Sequence, residues 1–101
     1  MTTWEDKVNL SRHLIDKAKN TYEEAKLLKA DDKYTGAVNR LYYTVLYVAN
    51  ALLALKGQYP QKHSSAKTIF GMEFVKTGLI DRKYSEIFSD VKIIREKSDC
   101  G

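Results

Sequence analysis

The sequence predicts an all-α fold: an antiparallel bundle of four main helices forming a single domain over residues 1–101. Three observations carry that expectation. Apolar residues recur at three- and four-residue steps through most of the chain. One proline and five glycines leave little room for strands, turns or linkers. The stretch from Tyr34 to Lys56 is so uniformly apolar that it belongs inside a bundle. At 101 residues there is enough chain for one core, and little enough that a subunit interface matters to stability.

The first helix is expected to start at Thr2 or Thr3, because Thr2 with Glu5 three residues later fits a capping box. Trp4, Val8, Ser11, Ile15, Ala18, Tyr22 and Ala25 then keep helical rhythm, with Leu14 and Leu28 widening the stripe, so the helix packs along one face. In the connector KADDKY, Asp31 or Asp32 is the expected cap of the second helix, which runs from about Tyr34 until Gly57 closes it.

That second helix is the most informative element. Leu41, Tyr42, Val45, Val48, Ala49, Leu52 and Leu53 cover most of its circumference, while Asn39, Arg40, Tyr43, Tyr47 and Asn50 fall within an arc of roughly a quarter-turn. An unpaired polar group in such a place costs about 1–3 kcal/mol, so something polar must meet the seam. Two readings stay open: a hydrogen-bond network that fixes register against the fourth helix, and a groove where Asn39 and Tyr43, beside Arg95, hold a phosphate or stack on a base.

Ser64 is the expected cap of a third helix, Ser65 to Thr77, with Ile69, Phe70, Phe74 and Val75 apolar and Gly78 as terminator. Asp81 then caps a fourth helix, in which Tyr84, Ile87, Phe88, Val91, either Ile94 or Arg95, and Ser98 share the rhythm. The chain stops at Asp99-Cys100-Gly101, straight after that helix. This reads as a product lacking a final helix, whose open flank a partner or a second copy would cover.

Seventeen basic against thirteen acidic residues give a formal charge of +4, compatible with nucleic acid and too small to argue for it alone. Lys17, Lys19, Lys26, Lys29 and Lys33 alternate with acids and draw no groove in the sequence. Neither a signal peptide nor a membrane span is expected, and one cysteine points to the cytoplasm. His13 reads as solvated. His63 sits beside the Ser64 cap and Lys62, where anions favour a helix start, or it is a partly exposed loop residue. Two histidines and one cysteine at unrelated positions form no metal site, and no cofactor is expected.

The segments AVNRLYYTVLYVANALLALKG, KHSSAKTIFGMEFVKTGLID and YSEIFSDVKIIREKSDCG together resemble the HEPN domain (higher eukaryotes and prokaryotes nucleotide-binding). The similarity runs from Ala37 to Gly101, and is to the small stand-alone archaeal and bacterial branch. The resemblance implies a helical bundle that pairs into a homodimer and is often encoded beside a minimal nucleotidyltransferase as a toxin–antitoxin couple. Many members are metal-independent endoribonucleases. Their signature is an Arg, usually followed by a polar residue, with a His four to six positions after the Arg. Here Arg95 and Glu96 match the first part, and Cys100 stands where the His, or in this branch commonly a Tyr, is expected. Without an imidazole the chain lacks the near-neutral group that would shuttle the 2′-hydroxyl proton; a thiol substitutes weakly, and only if a cation such as Arg95 depresses its pKa.

Arg95 shares a face with Phe88, Val91 and Ser98, and so points toward the core or an interface. It either contacts a phosphate through its forked guanidinium or forms a structural ion pair with Glu96, Asp99 or an acid of another helix. The expected function is a HEPN-type RNA- or nucleotide-binding homodimer, a toxin–antitoxin component with a degenerate endoribonuclease motif. Asn39, Arg40, Tyr43, His63 and Arg95 are its binding candidates, with Arg95 and Cys100 as the catalytic ones. The alternatives are a non-catalytic helical partner that regulates a nucleotidyltransferase, and a degraded member with no function left.

Overall fold

The structure, a computed structural model, describes residues 3–60, 63–78, 86 and 90–97, excepting the side chains at 63, 64, 67 and 73. Helix α1 spans Trp4–Ala30, α2 Tyr34–Leu55 and α3 His63–Phe70. The chain continues from α3 as a π-helical turn, Gly71–Val75, and residues 90–97 form a last helical stretch, here α4. No strand occurs among the described residues. The 27 residues of α1, at about 1.5 Å each, account for most of the 44 Å long axis.

Helix α1 starts one residue later than the Thr2–Glu5 pattern suggests. Thr3 is the N-cap: its hydroxyl accepts from the Asp6 amide at 3.1 Å, and its own amide donates to the Asp6 carboxylate at 3.2 Å. The expected caps of α2 serve the opposite end of its neighbour. Asp31 closes α1, Asp32 takes a left-handed conformation (φ 56°), and the Lys33 amide reaches back to the Leu28 carbonyl at 2.8 Å. This is a Schellman closure with Asp where glycine is usual. Asp tolerates both roles, so its presence in the connector did not say which helix it would serve. Helix α2 consequently begins at Tyr34 with Lys33 as its N-cap and no side-chain cap hydrogen bond.

The far end of α2 repeats the closure with the expected residue. Gly57 has φ 74° and the Gln58 amide bonds the Leu53 carbonyl at 2.9 Å. Helix α3 begins at His63, so Ser64 lies inside it and not at its cap. The Lys76 amide donates to the Gly71 carbonyl at 2.8 Å, the five-residue reach of a π turn, which the periodic pattern did not foretell. Gly78 follows with φ 82°. The expected Asp81 cap lies outside the described residues.

Two packing regimes surround α2. Tyr42, Leu46, Ala49 and Leu53 meet Ala66, Phe70 and Phe74, with Val91 of α4 packed against that cluster. The buried residues of α1 are all small, Ser11, Ala18, Thr21 and Ala25, and Ala37, Ala51 and Ala54 are among those buried on α2. The apolar circumference of α2 is not fully enclosed: Leu41 and Val48 are each 38% exposed. Spacing alone could not reveal that this flank is open, because it reports which residues share a face and not what covers it.

Candidate functional site

The polar seam of α2 is laid out along two neighbours. Near its start, an Arg40 N–H donates to the Asn39 side-chain oxygen at 2.7 Å, and Arg40 lies 3.7 Å from the Glu24 carboxylate of α1. The Arg40 guanidinium also stacks on the Tyr43 ring at 5.1 Å. From α4, Arg95 reaches the same ring at 5.5 Å and the Tyr42 ring at 4.7 Å. Two guanidinium groups thus converge on one half-buried phenol, from helices far apart in sequence. Tyr42 and Tyr43 themselves meet edge to face at 5.4 Å.

Further along, Tyr47 tilts against Tyr43 at 6.1 Å and carries the Lys17 ammonium over its ring at 4.8 Å. Asn50 ends the row in a cavity of about 170 Å³ with Leu10, Leu14 and Ala54, and its buried side-chain oxygen has no hydrogen-bond partner among the described residues. The seam therefore faces α1 as well as α4, where the fourth helix alone was expected to meet it. Among the contacts described, cation–π attraction recurs along it, each contact contributing about 0.5–2 kcal/mol according to its exposure.

Tyr42 is almost fully enclosed, at 1% exposure. Burial pushes its pKa above the usual tyrosine value; Arg95 opposes that shift, while Tyr43 and Glu96 add to it. Arg95 thus sits close enough to stabilise negative charge at the inner phenol.

The binding candidates fall into two groups. Asn39, Arg40, Tyr43 and Arg95 come together. The His63 residue opens α3, but its side chain lies outside the described residues, as does all of Cys100. His13 is exposed on α1. The contributions of Glu24 and Lys17 were not anticipated: they depend on the register between α1 and α2, for which helical periodicity carries no signal. Lys19, Lys26 and Lys29, which looked dispersed along the sequence, gather beside one groove of the α1–α2 pair. Among the described residues, no three His, Cys, Asp or Glu side chains group as metal ligands, and no helix is long and apolar enough to cross a membrane.

A helical bundle with this arginine-bearing last helix defines a class, and the sequence profile of the HEPN domain matches residues 11–101: the chain belongs to the HEPN domain family. It is 35% identical to a UPF0332 protein of Thermotoga maritima, over 84% of this chain and 64% of that protein. Two Methanocaldococcus jannaschii proteins described as suspected toxins are 35% and 36% identical, each over 85% of this chain and over 58% and 64% of their own lengths. The chain thus spans less than two-thirds of these relatives. No solved structure matches it.

Proposed function

We propose that this chain is a toxin-type HEPN protein that binds RNA or a nucleotide through the cluster of Asn39, Arg40, Tyr43 and Arg95, as a homodimer in which two such clusters share a cleft. The observation that carries the reading is the convergence of Arg40 and Arg95 on the Tyr43 ring. Two forked cations beside an aromatic face suit a phosphodiester next to a base: the guanidinium groups take the phosphate oxygens and the ring offers a stacking surface. Glu24 holds Arg40 only loosely at 3.7 Å with more than half of its side chain exposed, so a phosphate can displace it.

The family names of the Methanocaldococcus relatives support the toxin side of this reading. Cleavage is a separate matter. The resemblance aligns Cys100 with the motif's His position, where a thiol is a weaker proton shuttle than an imidazole, and we assign binding, not turnover, to the Arg95 cluster.

Fluorescence anisotropy with a labelled single-stranded RNA tests the assignment. Wild-type protein binds with an affinity that falls as salt rises. Arg95→Ala weakens binding by at least about tenfold, equivalent to about 1.4 kcal/mol. Incubation of the chain with total RNA in chelator leaves the RNA intact. Indifference to RNA, together with tight association with a co-encoded nucleotidyltransferase, would support the regulatory-partner reading instead.

A further inference from the structure

The open flank of α2 and the adjoining flank of α1 form a long apolar groove, roughly opposite the Arg95 cluster across α2. Ile15 and Tyr22 on α1, and Leu41 and Val48 on α2, each pair seven residues apart, line it. Hollows of about 280 and 290 Å³ lie end to end along it, with Tyr22 lining both. Tyr22 is 46% exposed, and Leu41 and Val48 are each 38% exposed. The polar group in the floor is already satisfied locally: the Thr44 hydroxyl donates back to the Arg40 carbonyl at 2.8 Å. Apolar side chains at seven-residue spacing beside a charged edge are the pattern that an amphipathic helix complements.

Charge selects what kind of helix. Lys19, Lys26 and Lys29 edge the groove on the α1 side. Lys26 is held by Glu23 at 2.8 Å and lies over the Tyr22 ring, while no ion pair among the described residues holds Lys19 or Lys29. A second copy of this chain is a poor occupant. Helix α2 contains no acidic residue and Glu23, beside the lysine row, is already paired with Lys26, so a groove-to-groove pairing of two copies would set Lys19 and Lys29 against lysines or an acid-free helix.

We propose that this groove docks an amphipathic helix of a different protein, one with apolar residues at heptad spacing and a flank of Asp or Glu that meets Lys19, Lys26 and Lys29. The surface is independent of the Arg95 cluster, and the inference does not rest on RNA binding.

The test uses the full chain and two labelled helical peptides with the same leucine heptads, one flanked by glutamate and the other by lysine. The Glu-flanked peptide binds saturably, and the Lys-flanked peptide binds about tenfold or more weakly, as like-charge juxtaposition demands. Lys19→Glu combined with Lys26→Glu reverses that preference. Leu41→Asp with Val48→Asp abolishes binding of either peptide, while circular dichroism shows the helices retained. Equal affinity for the two peptides, or binding of neither, overturns the proposal. So does a chain that self-associates through this groove, shown by sedimentation in which Leu41→Asp converts dimer to monomer.

Discussion

Helix α2 meets its neighbours in two unlike ways. Toward α3, the π turn and α4 it offers Tyr42, Leu46 and Leu53 to Phe70 and Phe74, large side chains whose burial removes much apolar area from water. On α1 the buried residues are small, Ser11, Ala18, Thr21 and Ala25, so each removes little apolar area from water, and hollows lined by both helices lie along the α1–α2 seam. The bulky residues of α1 lie largely outside this contact: Trp4, Tyr22 and Leu27 are 65%, 46% and 71% exposed. One side of α2 thus makes the core, while the other meets α1 with apolar surface left exposed.

Truncation should separate the two sides most sharply. Leu53 is wholly enclosed, and Leu53→Ala is expected to destabilise the fold by about 2–5 kcal/mol, read from the urea midpoint. Enlargement does the reverse experiment on the other side: Ala25→Leu and Ala18→Leu, at positions 3% and 4% exposed, are each expected to cost about 1–3 kcal/mol in the same assay, toward the low end because each borders a hollow that takes part of the added side chain. If both prove neutral, the α1 contact is loose and the contrast fails.

The two helix closures sharpen the comparison at smaller scale. Asp32 and Gly57 occupy the same left-handed position after α1 and α2. Asp32→Gly should raise stability by up to about 1 kcal/mol and Gly57→Ala should lower it by about 1 kcal/mol. Equal responses would mean the Tyr34 hydroxyl, which donates to the Asp32 carboxylate at 2.9 Å, offsets the strain.

The inner aromatic side also predicts a pH dependence. Because burial holds the Tyr42 pKa above its unfolded value, the unfolded chain loses that proton first. Stability is therefore unaffected by this group below about pH 10 and declines as pH rises beyond it. Tyr42→Phe should flatten that alkaline decline in a series of urea melts.

Much of the architecture was legible in the sequence. Periodicity located α1 and α2 within a residue or two, and the glycines at 57 and 78 marked the left-handed ends. What escaped was whatever depends on two helices at once. Leu41 and Val48 looked as interior as Leu53 because a helical wheel has no knowledge of neighbours. Asp32 looked like an N-cap because Asp accepts either kind of helix end. For the candidate site, Tyr43 and Arg95 could be placed on inward faces from spacing and family resemblance, whereas the approach of Glu24 and Lys17 needed the α1–α2 register. The π turn at Gly71–Val75 has no sequence signal that we recognise.

The central claim is that Arg95 and Tyr43 act on RNA as one unit. A double-mutant cycle of Arg95→Ala and Tyr43→Leu, followed by RNA anisotropy across a salt series, addresses it directly. The account predicts that the paired loss falls short of the sum of the single losses by about 0.5 kcal/mol or more, as contacting residues do, and that Arg95→Ala makes the dependence of log affinity on log salt shallower by about 0.7. Strictly additive losses, or an unchanged salt slope, would contradict it.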